Sequence, residues 1–339
     1  MTQDIATIDI SALFGPPSPD RDRADKAVFD AACGIGFMAV RNFPGDDLLT
    51  ARNRAALLGI FDLPEAEKAK LLRWNFDPTK KNVYRGWFPL QPGAVSYKEG
   101  IDMGPDLAHP MATAGSDDPL REPTPLPPES ALPGWRAAAA GYYVAMEQVG
   151  AVLMRSVARG LALPETIFDA AFQDGISTLR LIRYPLHDGG IDTSGPDFNT
   201  VHNGRTRAII GREHADSGFV TLLAQDGVEG LQAMNLAGEW IDVPPADSTL
   251  AVNFGQLLER WTAGRVKATR HRVVSPGKER FSIPFFYEPR VAAEIAPLPL
   301  AGAAAFEPFL YGDYLWDAAT KFVEMSGVRH LRQPQRASA

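Results

Sequence analysis

The 339-residue chain has a single cysteine, Cys33. An intramolecular disulfide and a thiolate-rich metal site are therefore both excluded, and a reducing compartment is the natural setting. Basic residues are also in deficit: the formal net charge is −7, which argues against general affinity for nucleic acid or anionic membrane. A local basic pocket is still compatible with that balance. No run of about 18 apolar residues occurs, so no segment reads as a membrane span. The start, MTQDIATIDI, has neither the basic nor the apolar region of a signal peptide. Apolar residues at 45% and charged residues at 22% are ordinary for a globular fold. These features predict a soluble, cytoplasmic protein, a monomer or weak homo-oligomer, with no nucleic-acid or membrane partner.

Residues 21–33 read as a helix, and GIGFMAVRNF as a helix stop followed by a short strand. Asp62, Pro64 and Glu65 predict a capped helix start before EKAKLLRW. Eight prolines between Gly104 and Pro133 exclude a regular element there and predict a long surface loop. Trp135, Tyr142, Met146, Val149, Leu153 and Val157 recur near the helical period, which predicts a core-facing helix over 134–160.

From residue 176 the pattern changes. ISTLRLIRYP, RAIIGREHAD, GFVTLLAQD, GLQAMN, EWIDVP, LAVNFG, KATRHRVVS and ERFSIPFFYE are short, rich in β-branched and aromatic residues, and punctuated by turn formers. Eight such segments predict a sandwich or jelly roll in place of parallel βαβ units. A Gly/Asp-rich linker covers 187–206, and DYLWDAATKFVEM reads as a closing helix. The expected organisation is an N-terminal region (1–133), core-packing helices (134–175), a jelly-roll domain (176–290) and a C-terminal closing segment (291–339).

Histidine is scarce, with six in the chain. His109, His202 and His330 sit in loop or tail contexts, and His187 at a strand end. His214 and His271 lie within strand patterns. A strand histidine alone is more often a satisfied core or surface residue than a ligand. His214, however, has Asp216 two positions on, and residues i and i+2 of a strand share a face. Pro276 and Gly277 between two apolar runs predict a hairpin in which His271 faces Ser282 and Val273 faces Arg280. One face would then carry an imidazole, a hydroxyl and a guanidinium that needs an anion. Pro284 cannot donate to a ladder, so pairing should end or bulge near it. Two histidines and a carboxylate without thiolates fit a non-haem Fe(II) triad. Zinc is the chemical rival, although no His-Glu-x-x-His occurs.

Three segments, HADSGFVTLLAQDGVEGLQ, NFGQLLERWTAGRVKATRHRV and ERFSIPFFYEP, resemble the isopenicillin N synthase-like family of iron- and 2-oxoglutarate-dependent dioxygenases. LRLIRYP, CGIGFMAVRNF, VYRGWFPL and SYKEGIDMG extend the resemblance over nearly the whole chain. It implies a double-stranded β-helix, a jelly-roll core with flanking helices in a mainly β, α+β fold, behind a mixed, mostly helical N-terminal region. It also implies His214, Asp216 and His271 as iron ligands, Arg280 and Ser282 as the holders of the far carboxylate of 2-oxoglutarate, and Tyr184 as a lining residue. Two positions depart from the pattern. Ile182 stands where many 2-oxoglutarate users carry asparagine, and Gln256 where the family usually has aspartate.

The expected reaction couples decarboxylation of 2-oxoglutarate, with O2, to hydroxylation, desaturation or cyclisation of a small molecule. The alternatives are a 2-oxoglutarate-independent oxidase, in which Arg280 and Ser282 serve a substrate carboxylate, and a non-catalytic jelly-roll binding protein. In this family the N-terminal half supplies part of the substrate pocket. Tyr84, Arg85 and Lys98 are the candidates there, with Arg85 pointing to an anionic substrate group. The loop 105–133 and the stretch 187–206 are candidate lids.

Overall fold

Ser18 opens the first helix: its hydroxyl accepts the Arg21 N–H at 3.1 Å, and Pro19 occupies the first turn, where a missing N–H costs nothing. The structure, a computed structural model, describes residues 5–91, 97–186, 195 and 198–335. Helix α1 (Pro19–Cys33) lies between strands β1 (Thr7–Asp9) and β2 (Phe37–Arg41). Helix α2 (Ala51–Leu58) and the single turn α3 (Glu65–Lys68) precede β3 (Gly86–Phe88) and β4 (Glu99–Met103). The proline-rich stretch carries two 3-10 turns and no regular strand or α-helix. Helices α4 (Trp135–Gly160) and α5 (Asp169–Phe172) follow.

All eight segments with strand character form strands: β5 (Thr178–Tyr184), β7 (Arg205–His214), β8 (Val220–Gln225), β9 (Leu231–Met234), β10 (Trp240–Asp242), β11 (Thr249–Phe254), β12 (His271–Val274) and β13 (Arg280–Tyr287). Strand β6 (Asn199–His202) is additional. It forms a hairpin with β7 around Asn203 and Gly204, both at positive φ, within the stretch expected to be a linker. Residues 187–194 and 196–197 of that stretch, His187 among them, lie outside the described residues. Short α6 (Gln256–Trp261) and α7 (Tyr311–Ala319) complete the helices. Among the described residues no helix is long and apolar enough to cross a membrane.

The strands build two facing sheets, the jelly-roll arrangement. The larger runs β1-β2-β11-β8-β13-β5-β4-β3, antiparallel except for β1 with β2, and the smaller runs β10-β9-β12-β7-β6. The period of two decides what each face does. On the outer face of the large sheet, Leu179, Leu181, Leu222, Ile283 and Phe285 are fully buried with Met146 and Val149 of α4. The opposite face looks into the space between the sheets, where Phe37, Ile182, Tyr184, Ala251 and Val273 form a second apolar cluster.

Three expectations change. The hairpin joining 271 and 282 does not form. β12 pairs with β7 and β9, β13 with β5 and β8, and the Pro276–Gly277 turn carries the chain from one sheet to the other. The expected shared face survives as a shared interior. Pairing of β13 with β5 does break at Pro284, while its pairing with β8 runs through. The helix expected from Glu65 is one α-turn with no side-chain cap from Asp62. Lys68 is tied to Glu65 and, across to β4, to Glu99, and Leu72 bridges to Trp87, which draws the chain into extended backbone. The closing helix stops at Ala319, after which Thr320 turns its hydroxyl back onto the Trp316 carbonyl.

One junction links the N-terminal region to the small sheet. Gly36 has φ +75°, and a Cβ there would collide with the Lys267 carbonyl oxygen. This close approach lets the Lys267 N–H donate to the Ala32 carbonyl at 2.9 Å and the Thr269 hydroxyl to the Ile35 carbonyl. Residues 267–269 lead directly into His271. Gly36→Ala should therefore cost about 2 kcal/mol through strain and collision. A urea-unfolding midpoint equal to that of the parent protein would contradict this.

Candidate metal centre

Strand β7 ends at His214, and the next residues turn away from the ladder to place Asp216 at the mouth between the sheets. The turn is held on α6: the N–H groups of Gln256 and Leu257 donate to the carbonyls of Asp216 and Ser217 at 2.8 and 3.1 Å. Gln256, the departure noted in the sequence, contributes here through its backbone and leaves its side chain exposed. His271 opens β12 and pairs directly with His214 across the ladder. The two rings lie 4.3 Å apart between centroids.

These three residues offer ligand atoms that all lie within 4.8 Å of one another. Asp216 Oδ1 is 3.5 Å from His214 Nε2 and 3.7 Å from His271 Nε2. Both imidazoles use Nδ1 against backbone carbonyls, His214 to Arg212 at 2.7 Å and His271 to Thr269 at 3.1 Å. That contact fixes the proton on Nδ1 and turns the Nε2 lone pairs toward Asp216. The other carboxylate oxygen, Oδ2, accepts from the Thr221 hydroxyl and from Asn253 Nδ2 at 2.5 and 2.7 Å. Oδ1 is thus the oxygen available to an ion. Burial would raise the Asp216 carboxyl, but positive charge on His271 and His214, with the Thr221 hydroxyl, holds it far below the usual carboxylate range. Burial and the neighbouring His214 push the His271 imidazole down, toward the neutral form a metal needs. With two nitrogens and one oxygen the set fits a divalent transition metal and leaves further coordination positions open.

Deeper between the sheets lies Arg280, fully buried. It makes one long hydrogen bond, from Nη2 to Gln225 Oε1 at 3.4 Å, and its guanidinium carbon sits 5.3 Å from the centre of the Tyr184 ring. Nε and Nη1 are buried without a partner, and no carboxylate among the described residues pairs with it. Burial pulls its pKa down, opposed by Tyr184 and Asp226. An uncompensated buried guanidinium is costly unless an anion joins it. Ser282 lies on the same face and is buried too, paired across the ladder with Ile182. Ile182, one of the two departures noted in the sequence, places an apolar side chain in the interior cluster.

The N-terminal candidates fare differently. Arg85 is fully buried and donates to the Met103 carbonyl, the Thr178 hydroxyl at 2.6 Å and the Ile176 carbonyl at 2.8 Å, with Nε buried and unpartnered, so most of its donors already serve as a strut. Tyr84 is buried beside it, under its guanidinium. Lys98 pairs with Glu324 at 2.7 Å. None of the three touches the triad. Sequence reasoning overlooked Thr221 and Asn253, whose signal was a polar side chain inside an otherwise apolar strand pattern. It also overlooked two rings beside the imidazoles: Phe37, 6.2 Å from His271, and Phe322, 6.4 Å from His214.

The chain is similar to known proteins in sequence and fold. Residues 176–289 match the 2OG-Fe(II) oxygenase superfamily, and residues 5–129 match the N-terminal region described as non-haem dioxygenase in morphine synthesis. Isopenicillin N synthase of Streptomyces clavuligerus is 31% identical over 335 residues, covering 95% of this chain and 97% of the relative. A 2-oxoglutarate-Fe(II) type oxidoreductase, ppzC, of Metarhizium majus is 32% identical over 85% of this chain and 78% of its own. Among solved structures, full-length Neurospora crassa T7H with alpha-KG superposes with a TM-score of 0.77 at 25% identity, covering 94% of this chain and 96% of that one. Its complex with alpha-KG and 5-formyluracil gives 0.74 at 26% identity, over 92% and 94% of the two chains.

Two outcomes follow from the local chemistry. Thr221→Val keeps the side chain's shape and removes a donor from Asp216 Oδ2. Its anaerobic affinity for Fe(II), measured by calorimetry, should fall by about 10- to 100-fold, and an unchanged affinity would count against the support role. The second concerns Glu288, which burial raises to about 7 against the opposing pull of Arg85 and the nearby hydroxyls. The native state then binds a proton that the unfolded chain has already released, so the stabilisation is full below the ordinary glutamate range and is lost as pH rises through about 7. Glu288→Gln should flatten the stability profile from pH 5 to 8, and an unaltered slope would rule the effect out.

Proposed function

The chain belongs to the isopenicillin N synthase-like family of the 2OG-Fe(II) oxygenase superfamily and is an oxidoreductase of that Fe(II)/2-oxoglutarate class; from that premise we propose that His214, Asp216 and His271 hold the iron, that Arg280 and Ser282 hold the far carboxylate of 2-oxoglutarate, and that the oxidised substrate is a small molecule. Iron and 2-oxoglutarate, when bound, supply the oxidising chemistry: decarboxylation to succinate and CO2 coupled to O2-dependent oxidation of a C–H bond.

The chain's own residues position and insulate. The two backbone-anchored imidazoles keep Nε2 unprotonated, and Asp216 stays ionised with one oxygen turned away by Thr221 and Asn253. The observation that carries the co-substrate assignment is the orphaned pair Nε and Nη1 of Arg280, a fork that matches a carboxylate with two charge-assisted hydrogen bonds. Tyr184, stacked under that guanidinium, restricts its orientation. Phe37 and Phe322 flank the two imidazoles. The small-molecule class agrees with the 5-formyluracil held by Neurospora crassa T7H.

A 2-oxoglutarate-independent oxidase remains the second reading, favoured by the near full-length likeness to an isopenicillin N synthase and by Ile182. Succinate formation separates the two. Arg280→Gln should raise the half-saturating 2-oxoglutarate concentration by about a hundredfold, the loss of ~3 kcal/mol of charge-assisted bonding. His214→Ala and Asp216→Ala should abolish succinate formation. An unchanged 2-oxoglutarate requirement in the arginine variant would refute its role, and substrate turnover without 2-oxoglutarate would select the oxidase.

A further inference from the structure

Arg180 is the one arginine of the β5 interior face, two residues before Ile182 and four before Tyr184. Asp102 clamps it: Nε and Nη2 donate to the two carboxylate oxygens at 2.5 and 2.7 Å. Its guanidinium carbon lies 5.3 Å from the centre of the Phe88 ring and 5.6 Å from that of Phe286. Three of its surroundings are therefore fixed. Nη1 has no hydrogen-bond partner among the described residues, and the side chain is 21% exposed, so the clamp leaves some space around the guanidinium.

That space adjoins the metal side. Phe286 pairs across the large sheet with Thr221 on one side and Thr178 on the other, and Thr221 is the hydroxyl that holds Asp216. β5 is thus two strand spacings, about 10 Å, from the strand that supports the triad. A small molecule spans such a distance. The charges around Arg180 do not balance. Arg73 also pairs with Asp102, Lys98 pairs with Glu324, and Arg85 lies within the Asp102 field, so four cations face two ionised carboxylates and Glu288, whose carboxyl burial raises to about 7. Arg73 and Arg85 are fully buried, so Arg180 is the arginine of the group that reaches solvent.

We propose that Arg180 determines substrate choice: its free Nη1 edge, held by Asp102 between Phe88 and Phe286, takes the carboxylate of a small monoanionic acid whose oxidised carbon lies toward His214, Asp216 and His271. The proposal rests on the oxygenase reading above. It moves the anion seat from Arg85, most of whose donors are engaged, to a guanidinium with a free edge and aromatic walls. The surplus of positive charge matches an anion.

The test is anaerobic calorimetry of the protein loaded with Fe(II) and 2-oxoglutarate, using phenylacetate, phenylpropanoate and phenylbutanoate, each beside its primary amide. At least one acid should bind about tenfold tighter than its amide. Arg180→Gln should erase that preference while altering amide affinity less than twofold, and Arg180→Lys should keep part of it. Acids and amides binding alike, neither binding at all, or a preference that survives Arg180→Gln would overturn the proposal. If Arg180→Gln does not fold, the wild-type acid–amide comparison with Arg180→Lys decides. A wild type that prefers acids yet forms no iron-dependent succinate would refute the oxygenase reading and leave the anion seat standing.

Discussion

A buried carboxylate between two imidazoles is the constraint on which the rest of the structure turns. Asp216 is removed from water, is kept ionised, and has one oxygen committed to Thr221 and Asn253. The remaining oxygen faces the Nε2 atoms of both rings, which present lone pairs to it when the rings are neutral and Nδ1 of each donates to a carbonyl. Such a cluster of acceptors is self-repelling until a cation enters. The elements around it make sense as means of holding the acceptors together: the turn 216–218 seated on α6, the direct pairing of His214 with His271, and the close approach at Gly36 that anchors residues 267–269.

The second charge in the interior has the opposite sign and the same logic. Arg280 is as deeply buried as any residue in the protein, yet two of its nitrogens have no partner. A fold can tolerate that cost when a ligand anion completes the pair. Acceptors awaiting a cation at the mouth, and donors awaiting an anion farther in, define an axis between the sheets. A metal chelator with a distal carboxylate fits along it. The aromatic and charged groups near Arg180 lie on the same interior face, and on the proposal above they would extend the axis on the substrate side.

Much of this was legible in the sequence, for reasons of periodicity. Strand residues two apart share a face, so Arg280 with Ser282 declared their grouping locally, whereas Asp216 lies past the end of β7 and reaches His214 through a turn that the strand period did not foresee. The eight apolar segments announced a β-sheet core because Gly, Pro, Asn and Asp separated them. What failed depended on distant partners. The Pro276–Gly277 turn has the chemistry of a hairpin tip, but whether it returns a strand to its neighbour or to the opposite sheet is decided by β5, β7, β8 and β9. Arg85 and Lys98 looked available because their partners, Thr178 and Glu324, are far away in the chain. Arg180 drew no attention for the same reason, since Asp102 and Phe286 reach it from other strands. The brevity of α3 likewise follows from its tether to Glu99 and not from its own composition.

The central claim is that two imidazoles and one carboxylate from separate strands grip one ferrous ion. X-ray absorption spectroscopy of the anaerobic protein loaded with one equivalent of Fe(II) measures that shell directly. The account predicts a nitrogen- and oxygen-ligated iron with two imidazoles, reduced to one in His271→Ala. An iron shell without two imidazoles, or one that His271→Ala leaves unaltered, would contradict it.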